Sequence, residues 1–225
     1  LISSIIAESS KKEVIAYAVL SENAQITSLP VVSIDKVEQQ IFIFNRQAEI
    51  LWSYKEKNNP LFMPIYVELT PDKTLLVTDS SRVFEMEMKS KKIIWERSGE
   101  AKSAVKLKNG NILICYENDS RILEVNRKNQ VVWKCDCDKP PFHATKLGNN
   151  NTLVTYSTGH IVREINPTGK VLWSFGKLEI EGDDEQHLSY PEYAIRLRTG
   201  NTLITDTGNS RIVEVSLKGE IVWSY

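Results

Sequence analysis

The chain has 225 residues, with 28 Lys and Arg against 29 Asp and Glu, a formal charge of −1 and a sequence pI of about 6.4. That balance excludes the broad basic field of a nucleic-acid or anionic-membrane binder, and no apolar run approaches the roughly 18–20 residues of a membrane-spanning helix. Cys115, Cys135 and Cys137 cannot all pair within one chain, which leans toward a reducing, cytoplasmic compartment; a leader removed ahead of Leu1 would instead place the protein in the periplasm or outside the cell.

Residues 1–20 read two ways. Ser10-Lys-Lys-Glu13 has capping-box spacing ahead of Val14–Leu20, which predicts a short helix. Ile5–Glu8 and Val14–Val19 read equally as two strands. Beyond them the chain repeats itself. Trp52, Trp95, Trp133, Trp173 and Trp223 each follow two aliphatic residues, from Ile50-Leu51 to Ile221-Val222, at intervals of 43, 38, 40 and 50 residues. A period near forty marks a repeat architecture. The first copy, Leu29–Tyr54, lies on the last, Gly200–Tyr225, after a shift of 171 residues. The second, ending at Trp95, has a middle turn two residues shorter, Asp79-Ser-Ser-Arg82 against Asp206-Thr-Gly-Asn-Ser-Arg211. The third and fourth, Gly110–Cys135 and Asn150–Phe175, fit with shifts of 90 and 50.

Within the last copy, Tyr193–Leu197, Thr202–Thr205, Arg211–Val215 and Glu220–Trp223 are rich in β-branched and aromatic residues and bounded by turn residues, which predicts four strands. Asn109-Gly110-Asn111, Thr199-Gly200-Asn201 and Lys218-Gly219 mark tight antiparallel turns. Leu203-Ile204, Ile212-Val213 and Ile221-Val222 are apolar at neighbouring positions, so both faces of each small sheet are expected to be buried. No helical periodicity after about residue 30 supplies a cover. The cover is then the next sheet, and four-stranded sheets stacked at a regular period form a β-propeller. Five complete copies predict an all-β propeller of five four-stranded antiparallel blades, near residues 21–57, 58–98, 99–137, 138–176 and 177–225, with residues 1–20 as an added segment; if that segment is a partial copy the count is six. The tryptophans are expected to wedge blade against blade.

GNTLITDTGNSRIVEV and TGKVLWSF resemble the repeats of pyrroloquinoline-quinone-type and NHL-type propellers. The PxxA-x-x-L pattern ahead of GNTLI is similar to that of arylsulfotransferase-like propellers. These resemblances imply an architecture and leave the activity open. Quinone-dependent dehydrogenases of this style carry adjacent cysteines, which Cys135-Asp-Cys137 are not. Arylsulfotransferase-type enzymes carry histidines and an arginine at a central channel. Here His143 lies on a first strand, His160 and His187 fall in loops, and Arg196 is a candidate anion partner. No nucleophile and base stand in recognisable relation. Cys135-Asp-Cys137 also lacks the spacing of a metal site, and no cofactor is implied.

An antiparallel meander places the links between strands two and three, and between blades, on one side. That side carries the length variation: Lys55–Pro64, Ser98–Ser103, Cys135–Pro141 and the longest, Gly176–Tyr190. Long loops on a rigid scaffold are where recognition usually resides. Gly176–Tyr190 holds Glu181, Asp183, Asp184 and His187, which read as a solvated acidic loop or as a contact for a basic partner. On the first strands, Lys106, Lys146 and Arg196 share one repeat position, with Glu68 as the counterpart in the second blade, and His143 and Tyr193 share another near the channel mouth. If the basic side chains turn inward they form a cationic sector for a small anionic ligand. The expected function is therefore a non-catalytic binding scaffold for a protein, peptide or small anion, acting through the variable-loop face and channel mouth. A sulfotransferase- or lyase-like enzyme working at the channel is the alternative. A sensor or structural module of a larger protein is a third reading.

Overall fold

Strands form where β-branched residues alternate between turns that only Gly, Asn and a few left-handed residues can make. The computed structural model describes residues 14–17, 31–45, 47–57 and 59–225. Among the described residues there are twenty strands and one short 3-10 turn. Five four-stranded antiparallel sheets run in chain order. The first comprises β1 (Val14–Tyr17), β2 (Val31–Asp35), β3 (Gln40–Phe44) and β4 (Ile50–Tyr54). The second comprises β5 (Tyr66–Leu69), β6 (Thr74–Thr78), β7 (Arg82–Glu87) and β8 (Ile93–Ser98). The third comprises β9 (Ser103–Lys106), β10 (Ile112–Tyr116), β11 (Arg121–Val125) and β12 (Val131–Asp136). The fourth comprises β13 (His143–Lys146), β14 (Thr152–Tyr156), β15 (Ile161–Ile165) and β16 (Val171–Gly176). The fifth comprises β17 (Pro191–Arg196), β18 (Thr202–Asp206), β19 (Arg211–Val215) and β20 (Ile221–Ser224). The fold is an all-β β-propeller of five four-stranded antiparallel blades, as the repeat predicts. No described helix is long and apolar enough to cross a membrane.

Val14–Tyr17 is a strand of the first sheet, paired antiparallel with β2, and not the start of a helix. The first sheet therefore begins before residue 21. The strand expected over Ile5–Glu8 lies outside the described residues.

The chain divides into two compact units, Leu1–Lys106 and Leu107–Tyr225. In the first, Ile41, Ile43 and Tyr54 of one sheet are buried in a single cluster with Val67, Val77 and Met86 of the next. In the second unit, Leu153, Val162 and Phe175 of the fourth sheet share a cluster with Ala194, Ile204 and Val213 of the fifth. Removing such apolar faces from water is the dominant favourable term in folding. Two of the indoles bridge a sheet to the next one. Trp52 donates Nε1–H to the Met88 carbonyl at 3.0 Å, and Trp133 donates to the Pro167 carbonyl at 2.8 Å, each in the last hairpin of the following sheet.

Double burial holds on the second and third strands but fails on the fourth. Leu51, Ile94, Val132, Leu172 and Val222 are exposed. Ile50, Val131 and Val171, which do pair in the ladder, are exposed as well. Glu164 pairs with Trp173 and Ile165 with Val171, so Leu172 is skipped by a β-bulge, and the same shift recurs in the other four sheets. A bulged residue leaves the alternation of faces and increases the local twist.

Backbone packing singles out Gly176, at the end of β16, with φ of +91° and an added Cβ falling 2.3 Å from the His160 carbonyl oxygen. Gly219, in the last hairpin, has φ of +78° but open space around it. Gly219→Ala should cost about 1–2 kcal/mol from the left-handed backbone alone, whereas Gly176→Ala should cost about 2–5 kcal/mol because the backbone must also move. Urea denaturation of the two variants checks the difference.

Candidate functional site

Lys106, Lys146 and Arg196 end the first strands of three successive sheets, where each reaches back to a glutamate on the third strand of the sheet before. Lys106 Nζ lies 2.8 Å from Glu85 Oε1 and 2.6 Å from Asp72 Oδ2. Lys146 Nζ is 3.9 Å from Glu124 Oε2 and 3.8 Å from the Trp133 ring centroid. Arg196 Nη2 is 2.7 Å from Glu164 Oε2, Nη1 donates to the Gly200 carbonyl, and the guanidinium lies 4.9 Å from the Trp173 ring centroid. In Glu124 and Glu164 the other carboxylate oxygen is held by the sheet's own first turn, from Asn111 and Asn151, while in Glu85 Thr74 Oγ1 donates to the same Oε1 that meets Lys106. Each carboxylate is thus paired and hydrogen-bonded, as burial requires, while Lys146 meets Glu124 as an ion pair beyond hydrogen-bond distance and lies over the Trp133 ring. Burial pulls the Lys106 ammonium down, and Asp72 and Glu85 more than reverse it. At Lys146 burial dominates and leaves the ammonium below its ordinary value.

Strand pairing corrects the position of Glu68. Ala194 pairs with Ile204 and Arg196 with Thr202, whereas Val67 pairs with Val77 and Leu69 with Leu75, which makes Leu69 the counterpart of Arg196. Glu68 is buried one place earlier and accepts the Lys106 backbone N–H at 3.0 Å. Its burial pushes the carboxyl up to about 8.

His143 and Tyr193 sit side by side on β13 and β17, ring centroids 4.5 Å apart. His143 is only 2% exposed, and burial lowers its imidazole to about 3. A general base at neutral pH needs a value near 7, so this ring is neutral and poorly suited to that role.

The long loop is folded, not loose. Lys177 bridges Ile180, and Glu181 bridges Leu188. Arg211 donates to the carbonyls of Asp183, Asp184 and His187, while its Nε lies 2.7 Å from Asp206 Oδ2. Asp206 is fully buried and also accepts the Ser189 N–H at 2.6 Å. Asn209 donates to the Gly182 carbonyl, and His160 Nδ1 accepts the Tyr190 N–H at 3.3 Å with the two rings in edge contact. Spending backbone carbonyls inward leaves Glu181, Asp183, Asp184 and Glu185 exposed, beside exposed Ile180 and Tyr190. His187 Nδ1 sits 2.6 Å from Asp184 Oδ1. Backbone donors, chiefly Gln186 N–H, and the His187 ring hold the Asp184 carboxyl below its usual range.

The same device recurs in the first unit. Asp79 is fully buried and caps Ser81 and Arg82, and Arg82 donates to Asn59 Oδ1 and the Pro60 carbonyl of the loop before β5. A cleft of about 450 Å³ opens beside that loop, lined by Lys55, Glu56, Pro60 and Leu61 with Glu38 of the β2–β3 turn. The repeated Asp-x-x-Arg and Asp-x4-Arg spacings were the signal for these braces, although spacing alone does not reveal what the arginines hold.

Cys135 and Cys137 lie on one face of β12 and its extension, and a hydrogen bond from the Cys137 thiol lowers the Cys135 thiol to about 7. Among the described residues, no group of three or more His, Cys, Asp and Glu is arranged to hold a metal ion.

No family model matches the sequence, and no curated protein matches it. Solved structures do. A protein of unknown function from Bacteroides caccae is 26% identical, with 83% of this chain and 69% of that one covered at a TM-score of 0.64. Virginiamycin B lyase from Staphylococcus aureus with quinupristin is 14% identical over 97% of this chain and 72% of its own, at 0.67. BBS1N in complex with ARL6DN is 14% identical over 93% and 64%, at 0.59. At such identities the last two likenesses establish the fold alone.

Removing one partner from a buried pair strands the other charge. Arg196→Ala should cost about 3–5 kcal/mol in thermal or urea unfolding, and Glu164→Gln combined with Arg196→Met should recover most of it. A second expectation concerns pH. Between about 6.5 and 3 the unfolded chain binds a proton that folded His143 refuses, so stability falls as pH drops through that window. His143→Asn should flatten that slope by about 1.4 kcal/mol per pH unit. Glu68 acts oppositely: its contribution is complete below 4.5 and is lost as pH rises through about 8, so Glu68→Gln should gain on the wild type toward alkaline pH.

Proposed function

We propose that the protein is a non-catalytic binding scaffold, whose loop Gly176–Tyr190 captures a basic peptide or a basic protein surface. The supporting observation is the way Arg211 braces this loop from behind, leaving carboxylates and two apolar side chains facing water. A loop fixed before binding loses little entropy on capture, which raises affinity without new contacts. An acidic rim also steers a cationic partner toward it. The cleft beside Lys55 and Leu61 is a further recognition surface of the first unit. BBS1N, one of the similar structures, was solved with a protein partner, which agrees with this reading. The sulfotransferase- or lyase-like reading has less behind it. His143 is buried and neutral, and the donors of Arg196 are engaged by Glu164 and Gly200.

Fluorescence anisotropy with a labelled Lys- and Arg-rich peptide tests the proposal. Binding should weaken with added salt. Reversing Asp183, Asp184 and Glu185 to Lys should lower affinity about tenfold or more, since each lost charge contact at a rim is worth a fraction of a kcal/mol to about 1 kcal/mol. No binding by the intact chain, or equal binding by the reversed one, would reject it.

A further inference from the structure

The cysteines of the chain meet on one sheet face. Cys115, Ile122 and Cys135 form a cross-strand row on β10, β11 and β12, and Cys137 follows Cys135 by two residues, so its side chain returns to the same side. All three cysteines pack into the apolar cluster that holds Val154 and Tyr156 of the fourth sheet. Burial separates them. Cys115 is 1% exposed, whereas Cys135 and Cys137 are only partly covered and open to a small solute.

Distance separates them as well. Cys115 stands two strand spacings from Cys135, roughly 9–10 Å, which is too far for a disulfide. Cys135 and Cys137 lean toward each other. Cys135 Sγ is 3.7 Å from the Asp136 carbonyl oxygen, one step forward, and Cys137 Sγ is 3.9 Å from the Cys135 carbonyl oxygen, one step back. The Cys137 N–H still donates to the Ser120 carbonyl at 2.7 Å, so the pair lies on a continuing extended ladder. Two extended residues span at most roughly 6.6–7.2 Å, at the upper limit of the Cα separation that a disulfide accepts. A bond closed there is strained, and strained disulfides are the easily reduced ones.

The groups around the pair give the two sulfurs different roles. The Cys137 thiol donates to Cys135, and the Lys146 ammonium acts from farther off; both favour a Cys135 thiolate against burial, Asp136 and Asp138. The same hydrogen bond, together with burial, keeps the proton on Cys137. A part-exposed thiolate beside a protonated thiol is the arrangement of an attacking and a resolving sulfur.

We propose that Cys135 and Cys137 are a hydroperoxide-reactive pair that closes reversibly to a disulfide, with Cys135 as the attacking sulfur and Cys137 as the resolving one. The Cys135 thiolate attacks the terminal oxygen of a hydroperoxide; an S–O bond forms, the O–O bond breaks and the alcohol leaves. Cys137 sulfur then attacks the Cys135 sulfenic acid; the S–S bond forms, and water leaves with the Cys137 proton. Two thiols are oxidised while the hydroperoxide is reduced to alcohol and water, and exchange with an external thiol reopens the pair. The pair is independent of what the Gly176–Tyr190 loop binds.

The probe is hydrogen peroxide in slight excess over the reduced protein, followed by alkylation under denaturing conditions and tryptic digestion. The peptide spanning 135–146 should return unalkylated and lighter by two hydrogens, while the peptide holding Cys115 takes the label. Reduced glutathione should restore both lost labels. In Cys137→Ser the oxidised Cys135 should stop as a sulfenic acid that dimedone captures, and in Cys135→Ser the remaining Cys137 should keep its alkylation at the same dose. Before any peroxide, iodoacetamide at neutral pH should alkylate Cys135 about tenfold or more faster than Cys137. Refusal of label by Cys115 until denaturation checks that each variant is folded. Full alkylation of 135–146 after peroxide, a bridge to Cys115, equal native alkylation of Cys135 and Cys137, loss of Cys137 alkylation in Cys135→Ser, or a bond that glutathione leaves intact overturns the proposal.

Discussion

A glutamate between two sheets cannot remain charged unless the neighbouring sheet answers it. Burying a lone carboxylate costs several kcal/mol even after relaxation, and a well-placed cation roughly cancels that cost. The pairs Glu85–Lys106, Glu124–Lys146 and Glu164–Arg196 thus add little net stability. The apolar faces around them supply it. What the pairs constrain is alignment. A strand slipped by one residue sends its whole side-chain set to the other face, which would leave both the acid and the base buried and unmet.

A second set of charges has a separate task. Asp79 with Arg82, and Asp206 with Arg211, lie at the ends of second and third strands and face the loops. In the fourth sheet Arg163 grips both oxygens of Asp138 from the preceding loop. Junction glutamates hold sheet to sheet, and these arginines hold the variable connections to the sheets. Recognition by such loops benefits because little ordering remains to be done when a partner arrives.

The five-sheet architecture was legible because a tryptophan after two aliphatic residues recurs in every copy even where an insertion lengthens the interval to 50, and because Gly and Asn mark turns for reasons of backbone sterics. The bulge was not. Val171 and Leu172 look alike in sequence, and only the hydrogen-bond register shows that one of them leaves the ladder. Glu68 was misaligned by one residue because counting back from Trp95 crosses a shorter turn between β6 and β7 and a longer last hairpin, whose effects cancel only in part. Lys106, Lys146 and Arg196 were recognised as a set, but their partners sit about 20 to 30 residues away in the preceding copy, where sequence offers no direction for the side chain. For the acidic loop, composition gave the charge, and the brace that shapes it came from Arg211, beyond the next two strands.

Arg211 grips main-chain oxygens of the loop and none of its acidic side chains. The contour of the loop is therefore largely uncoupled from the residues it displays, with Asp184 the exception because its carboxylate accepts the Gln186 and His187 N–H groups. Positions 183 and 185 can change sign, size or polarity while the same guanidinium fork continues to hold the same peptide groups. A lineage can re-target such a surface by drift at two exposed codons, and a protein engineer can treat it as an interchangeable cassette seated in a fixed socket.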